Sequence, residues 1–253
     1  MTGMAEPSAA LHPSSGGRIA SVSVIVPTWN EANYLPALLA SLTNQTRAPL
    51  EIVVADSGST DGTQNLAEAR GAFVVEGERR GPGEGRNRGA RAARGEVLVF
   101  IDADCIAPPN LLEAILAAVD QPGVIGGATG FVPARGNVAE RALFFLANGY
   151  QRAMTLWGYP HNAGYCFFFQ REAFQALGGL REDMLLNETH DLALRSRSLG
   201  RFVIVPGAVQ TSMRRFRTYG YARTIVKEYI VSTILYYATG RTSAEQFRPA
   251  PAR

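Results

Sequence analysis

Two carboxylates one residue apart, Asp102 and Asp104, close the apolar run Val97–Ile101 in the stretch VLVFIDADCIAPP. In an extended backbone, residues i and i+2 point to the same side, so the pair presents both side chains together where the strand ends. Like charges that close are costly unless a cation sits beside them. A hard divalent ion such as Mg²⁺ or Mn²⁺ answers that need, held by one or two carboxylates and completed by phosphate oxygens and water. A solvated loop whose acids merely stop the strand is the plainer alternative. The dipeptide spacing alone does not choose between them.

The elements around the pair give it a setting. The run VSVIV closed by Pro27 reads as a strand, and NEANYLPALLASLTNQ carries apolar residues at helical spacing. The alternation returns in LEIVVAD and STDGTQNLAEARG, where Ser59, Thr60 or Asp61 can cap the helix and Gly71 can end it. AFVVEG is a third strand and GRNRGARAARG a third, arginine-rich helix that leads into EVLVFIDAD. Strands alternating with helices predict a mostly parallel sheet, with ligands at the carboxyl ends of the strands, where Asp56 and Asp102 both fall. Further on, the segment 138–157 reads as a long aromatic-rich helix and NAGYCFFFQ as a strand. Phe167, Phe168 and Phe169 there alternate between the core and the opposite face. The helix REAFQALGG, the acidic stretch LREDMLLNETHDLALRSRSLG and the strand RFVIVPG follow. The chain then closes on an amphipathic helix that begins with arginines and carries tyrosines.

The 253 residues are 46% hydrophobic and 19% charged, which suits one sizeable α/β core. The net charge is +3, and Lys227 is the only lysine among 25 basic residues. The arginines are interleaved with 22 acids rather than gathered in a block, so nucleic acid is a poor fit. Phosphate-bearing small substrates or an anionic membrane surface suit them better. Two cysteines, Cys105 and Cys166, give neither a disulfide framework nor a metal pair, which fits a cytoplasmic protein. Cys105 reads as a small packed residue. Residues 1–20 lack the pattern of a signal peptide or anchor and read as a disordered tail, as do 242–253, leaving one domain over 21–241. The run YIVSTILYYATG is shorter than the roughly 20 residues that span a bilayer.

Taken in order, VSVIVPTWNE, IVVADSGSTDGT and GRNRGARAARGEVLVFIDAD resemble blocks of the inverting glycosyltransferases of family 2, and the resemblance runs from Ser21 to Arg241. It implies the GT-A fold, a single Rossmann-like nucleotide-diphospho-sugar transferase domain with a mostly parallel central sheet. It implies transfer of a sugar from a nucleoside-diphosphate sugar to a hydroxyl acceptor, free or lipid-linked, with Mg²⁺ or Mn²⁺ as cofactor. Pro27, Thr28, Trp29 and Glu31 match the turn that seats the nucleotide base, on which an indole face can stack. Asp56 matches an acid that contacts base or ribose, and it can equally cap its own turn. Arg86 and Asn87 match the arginine helix, where a guanidinium either contacts the diphosphate or pairs with Asp102. Asp102 then faces the ribose and Asp104 the metal.

The family's general base is where this chain departs. NETHDL puts Thr189 at the place of an expected aspartate, leaving Glu188 first and Asp191 second as candidates, one helical turn apart. His190 is an acceptor-side residue, or a metal ligand if the enzyme is retaining. A non-catalytic nucleotide-sugar-binding protein on the same fold is the remaining alternative. Asn162 and Gly164 match the acceptor-side wall. The last helix fits either a peripheral contact with the inner face of a membrane or a homodimer interface. GPGEGR is not a dinucleotide fingerprint, because Arg86 holds the final glycine position, and VPTWNE is not a nucleotidyl-transfer loop.

Overall fold

The computed structural model describes residues 20–240. Strands β1 (Val22–Thr28), β2 (Glu51–Asp56), β3 (Phe73–Glu76) and β4 (Val97–Ile101) pair in parallel, in the order β3-β2-β1-β4. Every residue of β4 is buried, as a strand covered on both faces must be. The crossovers are α1 (Leu35–Thr43), α2 (Thr63–Ala69) and α3 (Pro82–Ala92). Leu35, Leu38, Leu39 and Leu42 bury one face of α1. Helix α3 starts earlier than its sequence pattern suggested, because Pro82 is already shaped for a first turn. Gly89 lets α3 lie on β1, since a Cβ there would come 2.5 Å from Ile25 Cγ2. For α2 the expected side-chain cap is replaced by Gly62 at φ +87°, although Asp61 Oδ1 still accepts the Thr63 N–H at 3.1 Å.

The second half extends the same sheet. After β5 (Cys105–Ile106), absent from the sequence reading, come α4 (Leu111–Val119), β6 (Val124–Pro133), α5 (Val138–Leu156) and β7 (Cys166–Gln170). Then follow α6 (Arg171–Ala176), α7 (Glu188–Ser196) and β8 (Arg201–Thr211). The full order is β3-β2-β1-β4-β7-β6-β8-β5. Strand β7 runs antiparallel between β4 and β6, while β6 and β8 are parallel to each other. The carboxyl ends of β1, β2, β4, β6 and β8 therefore share one edge with the amino end of β7. Phe168 joins one core cluster and Phe167 and Phe169 the other, as period-two alternation requires. Phe167 stacks on Phe100 with ring centroids 4.7 Å apart.

The described residues end in α8 (Arg214–Tyr219), α9 (Tyr221–Arg223), a π-helical stretch Thr224–Val231 and α10 (Ser232–Thr239). Gly220, at φ +83°, breaks the segment after α8, and the rest runs on as one helical rod. Its amphipathic face is reversed from the usual sense. The buried positions are Thr224, Glu228 and Ser232, and Glu228 Oε2 there accepts from Arg215 Nη1 of α8 at 2.7 Å. No helix among the described residues is long and apolar enough to cross a membrane. The tails expected at 1–20 and 242–253 lie outside the described residues, except Ala20, which packs against the core.

Candidate active site

A cavity of about 740 Å³ opens at the shared edge. Its floor holds two carboxylate–guanidinium clusters. In the first, α3 carries Arg86, which is 5% exposed, between β4 and α7. Arg86 Nη2 donates to Asp102 Oδ1 at 2.7 Å and Nη1 to Glu188 Oε1 at 2.7 Å. Burial pushes the Glu188 carboxyl above its ordinary range, and Arg86 opposes that shift without cancelling it. Asn187, at φ +64°, turns the chain so that Glu188 starts α7 inside the cavity.

In the second cluster, Arg214 arrives just beyond the end of β8. Its Nη1 and Nη2 donate to Glu31 Oε2 and Oε1 at 2.8 and 2.5 Å, and its Nε lies 3.0 Å from Asp104 Oδ2. Backbone pairing places it there, since Ser212 N–H donates to the Asp104 carbonyl at 3.2 Å. Burial raises Glu31 to about 7 and Asp104 to about 6, with Arg214 offsetting part of each shift. Arg214 itself is held firmly charged. Desolvation works against its charge, but Glu31 and Asp104 outweigh it.

The wall next to β1 carries Pro27, Thr28 and Trp29, with the Arg79 guanidinium carbon 3.6 Å from the indole centroid. Asp56 stands behind this wall, fully enclosed. Thr28 Oγ1, Ser59 Oγ, Gln64 Nε2 and the backbone N–H groups of Gly58 and Ser59 all donate to it. Burial would raise its pKa, but those bonds win and hold it below the usual carboxylate range. Of the two roles expected for Asp56, a contact with base or ribose and the capping of its own turn, these bonds show the second.

On the opposite wall, Asn162, Gly164 and Tyr165 precede β7, and Asp102 N–H donates to the Tyr165 carbonyl at 3.1 Å. Gly164 has φ +89°, and a Cβ there would meet Thr189 Oγ1 at 3.3 Å. Asn162 Nδ2, His161 Nδ1, Thr211 Oγ1 and Glu228 Oε1 are buried without a hydrogen-bond partner on residues that line the cavity. Such atoms call for a ligand or water.

Of the residues expected from sequence, Pro27, Thr28, Trp29, Glu31, Arg86, Asp102, Asp104, Asn162, Gly164 and Glu188 line this one cavity. Asn87 instead ties α3 to Leu180 and Glu182. Asp191 and His190 are not in its wall. Asp191 is held instead by Arg195 at 2.7 Å and by the Tyr236 hydroxyl at 3.0 Å. His190 Nε2 meets the Tyr237 hydroxyl at 3.0 Å, and its ring centroid lies 4.5 Å from that of His161. Burial pushes His161 down to about 3 and His190 to about 4, so both are neutral near pH 7. His190 stands outside the wall of the cavity that holds Asp102 and Asp104, so the fold does not bring it to the expected metal site. Sequence reasoning missed Arg79, His161, Arg214 and Glu228. The arginines of TSMRRFR were visible, but nothing local tied them to Asp104.

The donor set suits a hard cation. Asp102 and Asp104 each commit an oxygen to an arginine, and the raised pKa of buried Asp104 marks a carboxylate that added positive charge would favour. Among the described residues no cluster of three or more His, Cys, Asp or Glu forms a metal site. An ion here would complete its shell with phosphate oxygens and water.

The sequence model described as Glycosyl transferase family 2 matches residues 23–178. Glycosyltransferase AglE of Haloferax volcanii is 34% identical over 131 residues, covering 47% of this chain and 43% of that protein. Validoxylamine A glucosyltransferase of Streptomyces hygroscopicus subsp. limoneus is 33% identical over 135 residues, 48% of this chain and 29% of that one. The chain thus spans less than half the length of these relatives. Among solved structures, a mannosyltransferase from Pyrobaculum calidifontis in complex with GDP-Man and Mn²⁺ superposes with a TM-score of 0.67 at 24% identity. That match covers 97% of this chain and 69% of the other. Glucosyl-3-phosphoglycerate synthase from Mycobacterium tuberculosis, with Mn²⁺, UDP and phosphoglyceric acid, gives 0.61 at 23% identity, covering 89% and 80%. At these identities the structural likeness shows the fold, which is GT-A.

Proposed function

This chain belongs to glycosyl transferase family 2, and on that basis we propose that it moves a sugar from a nucleoside-diphosphate sugar to an acceptor hydroxyl. One observation carries the reading: Asp102 and Asp104 open into the same cavity as Glu188 and the Trp29 turn, although they come from three distant parts of the sequence. The relatives' names and the nucleotides in the neighbours' complexes support it.

Asp102 and Asp104 would hold a divalent cation, which when bound offsets charge on the departing diphosphate. The protein's own groups do the rest. Trp29 offers a face to the base, with Arg79 above it adding positive charge. Arg86 holds Asp102 and Glu188 in fixed orientation through two 2.7 Å bonds. Glu188 is the general base: its raised pKa makes it a stronger acceptor of a proton than an ordinary carboxylate, and it alone of the two candidates faces the cavity. It takes the acceptor's hydroxyl proton as the oxygen attacks the anomeric carbon opposite the diphosphate, which leaves with the bonding pair. Inversion follows from that single displacement. Thr189 beside it cannot take the proton and instead donates to the Asn162 carbonyl at 3.3 Å.

The test is thermal stabilisation by a panel of nucleoside diphosphates with Mn²⁺ or Mg²⁺. A shift that needs both metal and one nucleotide is expected. Absence of a shift with every pair would overturn the donor site.

A further inference from the structure

Sixteen large apolar or aromatic side chains stand exposed among the described residues, and all but Leu50, Phe73 and Val132 lie on 138–159 or on the C-terminal rod. Val226, Ile230, Ile234 and Tyr237 are 47%, 49%, 60% and 53% exposed and recur at helical spacing on one side of the rod. Thr224, Glu228 and Ser232 fill the other side, facing inward. Phe145 and Leu146 of α5, with Leu156 and Trp157 at its end, are 67–86% exposed. A lone helix facing water would reverse this arrangement, so the apolar side has a partner.

Charge says which partner. Arg141, Arg152 and Lys227, the exposed charged residues of these two helical segments, are all basic. The only acids there, Glu140 and Glu228, are shielded from solvent and paired with Arg217 and Arg215. A second copy placed on this face would bring base against base. An anionic bilayer receives both features: apolar side chains enter the acyl boundary, bases meet headgroups, and tryptophan and tyrosine sit at the interface.

The cavity opens between the same two helical segments. Leu143, Phe144 and Ala147 of α5 line one side of this arm, and Ile225, Tyr229 and Ile234 of the rod line the other. Ile234 is both wall and exposed rim. An apolar chain lying in the arm would continue into the bilayer while its polar head reached the unpartnered Glu228 and Asn162 atoms and Glu188.

We propose that this face rests on an anionic lipid surface and that the arm between α5 and the C-terminal rod takes the apolar chain of a lipid-borne acceptor. The acceptor half of the proposal rests on the transferase reading above; the docking half does not.

The full chain is mixed with phosphatidylcholine vesicles with and without phosphatidylglycerol. Sedimentation with the anionic vesicles, weakened by salt, is expected. Brominated lipid should quench Trp157, with the quenching lost in Trp157→Phe, and Phe145→Asp with Ile230→Asp should abolish sedimentation. Retention of the nucleotide-dependent melting shift shows that the double variant is folded. Separately, dodecyl maltoside below its micelle concentration should raise the melting temperature where maltose does not, and Ala147→Trp should remove that rise. A wild-type chain that stays in the supernatant with anionic vesicles while keeping its nucleotide shift overturns the docking face. So does a dimer that the double variant dissociates. Equal effects of maltose and dodecyl maltoside overturn the acceptor arm. Vesicle binding without any nucleotide shift supports the docking face and overturns the transferase reading alone.

Discussion

At the scale of single residues, burial has set the proton affinities of the site. Glu31 and Asp104 have folded pKa values of about 7 and about 6, above ordinary values of 4.5 and 3.8. Their neutral forms favour folding at low pH, so stability from these two groups is lost as pH rises from about 4 to about 7. The cation that Asp104 would hold needs that carboxyl ionised. Mn²⁺-dependent stabilisation should therefore grow over the same window, and a titration of the melting temperature with and without Mn²⁺ checks both signs. Asp104→Ala should remove the metal-dependent part of nucleotide binding while leaving metal-free binding near its original level, measurable by calorimetry. Glu188→Gln should keep nucleotide binding and lose roughly 100- to 10,000-fold in transfer rate. Normal turnover in that variant would move the base elsewhere. The aspartate pair was legible in sequence because i, i+2 spacing at a strand end is a local fact. For Asp56 the sequence offered a turn-capping role beside a base contact, but the donors from Thr28, Ser59 and Gln64 that engage it are assembled only by the folded turn.

Elements owe their places to side-chain size as much as to pattern. Helix α3 can bring Arg86 to the mouth only because Gly89 lets it lie against Ile25. Gly89→Val should push the helix outward, costing about 1–3 kcal/mol in denaturant unfolding and weakening nucleotide binding with it. Most strands and helices were readable from periodicity, including the long helix α5 and the alternating phenylalanines of β7. The antiparallel direction of β7 was not readable, since it depends on which neighbours the strand finds. That direction is what sets Asn162 and Gly164 beside Asp102.

Across the whole molecule, Arg214 is the tie. It joins the end of β8 to the turn after β1 and the mouth of β4, and its removal would leave two buried carboxylates without a cation. Arg214→Met should destabilise the fold by about 3 kcal/mol near pH 8, and by less near pH 5, where both acids can take a proton instead. An equal loss of melting temperature at both pH values would show that the guanidinium acts through packing alone. What the sequence determined by itself was the α/β alternation, the strand-end acids and the family blocks, because each is written within a few adjacent residues. What the tertiary structure decided was the ion-pair partners of those acids, the opening of Glu188 and not Asp191 into the cavity, and the outward turn of the apolar side of the C-terminal rod. Those depend on contacts between segments far apart in the chain, where burial and the charge of the opposing surface, not local pattern, settle which side chain faces which.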